Sequence, residues 1–168
     1  MIALQISNIK DFMNRLLKST LFDTFLLVEA TITTYSTFTI DGRLHREFFD
    51  PQVQETLSKN GRTYALWGEI KPHCLSVIRG KRTPLHFKII FQLPKENTSQ
   101  MLSKSGSPLA PEEVAGLFLN LHFSESGLSV TTGTSYHIFT LDKTFDTFWD
   151  KAVLTFLKQQ DISYEQIS

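Results

Sequence analysis

The chain has one cysteine in 168 residues, Cys74, so it can form no internal disulfide. It needs none, because a chain of this length buries roughly 70% of its unfolded surface on folding. A lone thiol fits a reducing cytoplasm, where disulfides are rare. No apolar run approaches the ~20 residues that span a bilayer, which excludes a membrane helix. The opening Met1-Ile2-Ala3-Leu4-Gln5-Ile6 turns polar at Ser7-Asn8 with no basic flank, so no signal peptide is read there. Net charge is missing as well. With 17 basic residues against 17 acidic ones, a polycation that coats nucleic acid by bulk charge is ruled out.

Chemical motifs are equally scarce. There is no Gly-x-Ser-x-Gly elbow, no His-Glu-x-x-His, no paired cysteine and no phosphate loop of the Gly-x-x-x-x-Gly-Lys type. No catalytic residue, metal site or cofactor is therefore expected. Cys74 falls on the apolar stripe of a helix, where thiols are inert.

What is present is a folding pattern. The hydrophobic share is 41%, with 14 phenylalanines, most of them at periodic positions that suit a Phe-rich core. Residues 2–6 read as a strand. Ile9, Phe12, Met13, Leu16 and Leu17 then form one helical stripe, with Asn8 as its cap and Asp11 in its first turn. Residues 26–40 alternate with period two and break at 34–36, and Asp41-Gly42 signals a hairpin that returns a strand through Leu44, Arg46 and Phe48. Asp50-Pro51 opens a short helix that Asn60-Gly61 closes. Trp67, Ile70, Cys74, Val77 and Ile78 mark a second helix with Pro72 at its regular start or at a kink, capped by Gly80.

Residues 85–93 alternate strictly and read as a strand. Asn97 and Gln100 cap a brief helix before a Ser-, Gly- and Pro-rich surface loop over 103–111. Three strands follow, 117–123, 128–132 and 136–141, turning at Ser126-Gly127 and at Gly133. Phe145, Phe148, Trp149, Ala152, Val153, Phe156 and Leu157 line a final helix. The class is α+β: antiparallel sheet built from two three-strand meanders, helices on one face, in one domain over residues 1–168. The halves 1–62 and 84–160 repeat the same coarse strand, helix and meander pattern.

Charge is uneven along the chain. Residues 70–95 carry six basic side chains and no acid, whereas 105–150 carry six acids against Lys143 alone. Arg79-Gly80-Lys81-Arg82-Thr83 concentrates cations at a helix end, where they suit a phosphate or carboxylate contact and equally offset the helix dipole. Arg79, Lys81, Arg82, Lys88, His86 and Lys71 are the candidate binding residues. Asp142, Asp146 and Asp150 recur at helical spacing, which reads as a solvated acidic face or a cation ladder. His86, His122 and His137 fall on the polar phase of their strands, where three imidazoles on one sheet face are a zinc option.

The segments Glu29-Ala30-Thr31-Ile32-Thr33-Thr34-Tyr35, Phe38-Thr39-Ile40-Asp41-Gly42, Gly80-Lys81-Arg82-Thr83-Pro84-Leu85, Thr131-Thr132-Gly133-Thr134-Ser135 and Phe139-Thr140-Leu141-Asp142-Lys143 resemble a bacterial domain of unknown function from Clostridia-type Firmicutes. The resemblance spans nearly the whole chain and implies that the chain is the complete protein. It implies no activity and no functional residue. The element order is similar, more weakly, to a domain of the DNA sliding clamps. That likeness implies DNA contacts from Lys10, Arg15 and Lys18 on the first helix and from Lys71 and Arg79 on the later one, though the terminal helix has no place in such a domain. The expectation is a non-enzymatic cytoplasmic binding or adaptor protein that contacts a protein or nucleic acid through its basic segment. An enzyme or sensor for a small phosphorylated anion is the alternative, with Arg82, His86 and Lys88 at its site.

Overall fold

The computed structural model describes residues 1–80 and 82–168. Strand β1 (Ala3–Ile6) leads into helix α1 (Ile9–Leu17), whose first turn is closed by Asn8, its Oδ1 accepting the Asp11 N–H at 3.1 Å. The period-two stretch forms β2 (Leu26–Thr33) and β3 (Thr37–Asp41), broken where the alternation fails. Helix α2 (Pro51–Asn60) starts on its proline and ends on Gly61, whose φ of 62° only glycine adopts freely. Helix α3 (Trp67–Ile78) runs through Pro72, and Glu69 anchors its start by accepting the Leu66 N–H at 2.8 Å. Strand β4 (His86–Gln92), helix α4 (Lys95–Ser105), strands β5 (Val114–Ser124) and β6 (Gly127–Tyr136), helix α5 (Thr144–Gln159) and strand β7 (Tyr164–Gln166) complete the chain.

Seven strands form one sheet in the order β3-β2-β4-β5-β6-β1-β7, every neighbouring pair antiparallel. The α+β class is as expected, but neither three-strand meander forms as read. The chain after Asp41 does not turn back: Asp41 Oδ1 accepts the Arg43 N–H at 2.9 Å and redirects it, and residues 46–48 make a single 3-10 turn. Residues 136–141 form no third strand either. Gly133 lies inside β6 opposite Phe118, and the outer edge of β6 is already taken by β1, so the following segment has no edge to join. Helix α4 starts at Lys95, before Asn97, and absorbs residues 103–105 of the expected loop. The two halves interleave: β1 pairs with β6 and β7, and β2 pairs with β4.

Alternation decides which face is covered. Leu4, Ile6, Ala30, Ile32, Phe87, Ile89, Phe91, Leu117, Leu119, Leu121, Leu128 and Val130 are buried and share one face through their pairing. Their neighbours Thr31, Lys88, His122 and Ser129 sit in one row on the opposite face, where Lys88 and His122 are exposed and Thr31 and Ser129 half-buried. Against the covered face α1, α3 and α5 deliver Phe12, Leu16, Trp67, Cys74, Phe145, Trp149, Val153 and Leu157. Phe22, Phe25 and Phe91 pack with ring centroids 5.5–6.0 Å apart, and Phe12 and Trp67 join them. Each such side chain contributes roughly 1.5–3 kcal/mol by leaving water. Both indoles are satisfied, Trp67 Nε1 donating to Leu16 O at 2.9 Å and Trp149 Nε1 to Phe118 O at 3.0 Å. Among the described residues no helix is long and apolar enough to cross a membrane.

Candidate functional site at the end of the sheet

Helix α3 ends without a left-handed glycine. Arg79 itself is the cap, with φ −69° and ψ 116°, and its N–H bonds Leu75 O at 2.8 Å. Gly80 keeps a non-positive φ, so it is not the C-cap that its position suggests. The chain then crosses to β4, where Leu85 N–H bonds Thr33 O at 2.9 Å and fastens the connection beside the β2–β3 turn. A cleft of about 520 Å³ results, walled by Tyr35, Val77, Ile78, Arg79, Arg82 and Leu85. Tyr35 is 93% exposed and Leu85 66% exposed, an unusual display of large apolar surface beside two guanidinium groups.

Of the six basic candidates, the structure brings Arg79 and Arg82 to this cleft. Lys81 lies outside the described residues. His86 and Lys88 project from β4 onto the open sheet face, opposite Thr33 and Thr31 respectively. His86 also lines a neighbouring groove of about 720 Å³, which shares Thr83 and Leu85 with the first cleft. Leu85 is thus a ridge between two hollows. Lys71 is elsewhere, its Nζ held at 2.7 Å from Asp23 Oδ1 and 2.9 Å from Ser19 O, with the side chain only 15% exposed. That ion pair fastens α3 to the segment after α1. Arg79, Arg82 and Lys88 have no carboxylate within 4.0 Å among the described residues.

The other sequence candidates resolve differently. His122 lies opposite Lys88 near one end of β5, while the His137 N–H bonds Glu113 O at the other end, so three imidazoles do not converge. No cluster of three or more metal-ligating side chains occurs among the described residues. Cys74 is buried, and burial pushes its thiol up to about 12, leaving negligible thiolate. A larger cleft, about 780 Å³, lies between the end of α2 and the start of α4. Two of its cations are already paired, Lys59 with Glu55 at 3.4 Å and Arg62 with Glu69.

The carboxylates of α5 do not form a solvated face. Asp146 turns to β6, where it accepts from Thr134 Oγ1 at 2.8 Å and from the Tyr136 hydroxyl. Asp150 accepts from Thr132 Oγ1 at 2.5 Å, and Thr132 Oγ1 in turn accepts the Ile2 N–H at 2.9 Å. These contacts pin α5 onto β6 and use carboxylate charge internally. Burial pushes the Asp146 carboxyl up, but the hydroxyls of Tyr136 and Thr134 and the Lys143 ammonium outweigh it and hold the carboxyl below its ordinary 3.8. Burial first, then the bond to Asp146, raises the Tyr136 phenol above its ordinary 10.

The Asp146 contribution is present above pH 3.8 and is lost as pH falls through the depressed value, and that of Tyr136 is present below pH 10 and lost as pH rises. Asp146→Ala is expected to lower unfolding stability by about 2 kcal/mol at neutral pH, from lost charge-assisted hydrogen bonds. The difference from wild type should narrow at roughly pH 3, where the unfolded carboxyl is mostly protonated and the folded one takes up its proton later. Urea unfolding at the two pH values checks this, and an equal gap at both would remove the carboxylate from the account.

The chain belongs to a family of unknown function, DUF5721. The family match covers residues 15–165, which takes in every wall of the 520 Å³ cleft. No curated protein and no solved structure matches the chain. The sliding-clamp likeness therefore carries no residue role over, and two of the cations it invoked are committed elsewhere, Arg15 to Asp11 and Lys71 to Asp23.

Proposed function

We propose that the chain is a non-catalytic binding module, and that the cleft of Tyr35, Arg79, Arg82 and Leu85 receives an acidic segment of a partner protein. The observation that carries this reading is the pairing of exposed apolar side chains with cations that meet no carboxylate among the described residues. Two guanidinium groups beside a tyrosine ring and a leucine suit a segment with one carboxylate and one apolar anchor, because Arg binds carboxylates bidentately and aromatic anchors dominate interface energetics. A nucleic acid would call for a longer basic track. Two or three cations release too few counterions for more than weak binding. We place the protein in the cytoplasm, where its single thiol stays reduced.

Selection of a displayed random 12-residue peptide library on the full chain tests this reading. Peptides that combine Asp or Glu with aliphatic or aromatic residues should be enriched. The Arg79→Ala/Arg82→Ala double variant should bind them at least ten-fold more weakly while melting at the wild-type temperature. Equal binding by the double variant would overturn the reading. So would tight binding of labelled single-stranded DNA or RNA with a log–log salt slope steeper than about −3, since that needs more phosphate contacts than this cleft offers. A thermal shift with phosphorylated metabolites, about 2.7 kcal/mol at 100 times the dissociation constant, would transfer the site to a small anion.

A further inference from the structure

The β3 edge of the sheet is open. Gly42 N–H bonds Val28 O at 3.0 Å and Thr34 N–H bonds Ser36 O at 2.9 Å, which sets the parity of the strand: Phe38 and Ile40 pair inward with β2. In an antiparallel ladder the alternate residues point away, so the N–H and C=O groups of Thr37, Thr39 and Asp41 face outward. None of them finds a backbone partner among the described residues. The strand carries none of the usual guards of an exposed edge. It has no lysine, no proline and no bulge, and its only charge is Asp41 at one end. The opposite edge, β7, is blunted by its length of three residues.

We propose that β3 accepts an extended acidic segment of a partner protein as an eighth strand. This proposal rests on the reading of the cleft as a peptide site and says how the peptide is held. Charge selects the occupant. Arg79 and Arg82 stand beside Tyr35 at the start of β3, whereas Arg43 at its far end is offset by Asp41, so a strand that carries its carboxylate at the Tyr35 end is attracted. A second copy offers no net negative charge to that end. Self-pairing about Thr39 sets Arg43 of one copy opposite Tyr35 of the other and Asp41 opposite Thr37, so the two charges offset each other beside Arg79 and Arg82. An incoming strand that runs antiparallel to β3 brings its C-terminal residues to the arginines. Its alternate side chains lie beside half-buried Phe38 and Ile40 on the covered face. The recognised pattern is therefore four or five residues of alternating apolar and polar character followed by Asp or Glu, with affinity from main-chain bonds and selectivity from the arginines.

Thr39→Pro isolates the main-chain part. Proline is tolerated on an edge strand when the lost N–H faces solvent, so the variant should fold and melt like wild type. Peptides enriched on the wild-type chain should bind Thr39→Pro at least ten-fold more weakly, and the same peptides N-methylated at alternate amides should weaken equally on wild type. Unchanged binding by Thr39→Pro, with sensitivity to Arg79→Ala/Arg82→Ala retained, would overturn strand addition and leave the cleft reading standing. Insensitivity to the arginine pair, whatever Thr39→Pro does, would remove both. A sedimentation dimer of the free chain that Thr39→Pro dissociates would assign the edge to a second copy and overturn the acidic partner.

Discussion

Trp67→Ala is expected to remove about 3–5 kcal/mol of stability, a large part of the roughly 5–15 kcal/mol that holds a domain folded. The indole is fully buried at the start of α3, edge-on to Phe91 with centroids 5.2 Å apart. Its Nε1 donates to Leu16 O at 2.9 Å, so truncation orphans a buried carbonyl at the end of α1 as well as opening a void. Trp67→Phe separates the two effects. It keeps most of the ring contact and loses the donor, so it should cost about 1–2 kcal/mol. Urea unfolding of both variants measures the split. A Trp67→Ala loss below about 1 kcal/mol would mean that the cavity collapses and that the α1–α3 contact is not a stabilising joint.

Gly42→Ala should be nearly as damaging, for a different reason. A Cβ at residue 42 would sit 1.7 Å from Leu27 O and 2.7 Å from Leu27 C, both backbone atoms in a strand. The strain cannot be relieved by rotating a side chain. It demands that β2 or β3 move at the point where the β2–β4 register already shifts between Leu27 and Glu29. A loss of about 3 kcal/mol is expected, lowering the melting temperature by roughly 6–12 °C at this chain length. Gly80→Ala is the natural control, since nothing lies within 4 Å of a Cβ there and its φ is not positive. Equal melting temperatures for the two variants would show that the Gly42 backbone adjusts freely.

Gly42 also marks where sequence reasoning succeeds and where it stops. Asp-Gly is a strong turn signal, yet here the glycine serves close backbone approach, which depends on a β2 bulge that no local pattern announces. Helices α1 and α5 were legible because a 3.6-residue stripe survives any tertiary context. The third strand expected at residues 136–141 fails because strand formation needs a free edge, and β1 arrives from the other end of the chain to occupy it. The basic segment was legible as charge, and Arg79 and Arg82 do share a cleft. The loss of Lys71 to Asp23 was not legible, nor was the arrival of Tyr35 and Leu85, since all three depend on contacts between segments far apart in sequence. The inward turn of Asp146 and Asp150 was hidden for the same reason: the hydroxyls that claim them belong to β6.

The placement of β1 sets a timetable for folding. Leu4 pairs with Val130 on one side and Gln166 on the other, so β1 waits for two partners made more than a hundred residues later. On the ribosome β2, β3 and β4 can zip as they emerge, but β1 must wait for its strand partners until β6 and β7 clear the exit tunnel. Pairings of such sequence separation carry a high loop-closure entropy and slow the search for the native state. The final commitment to the fold therefore waits for β7 to be made, and a chain truncated before β7 leaves an apolar strand with an open flank for chaperones or aggregation to claim.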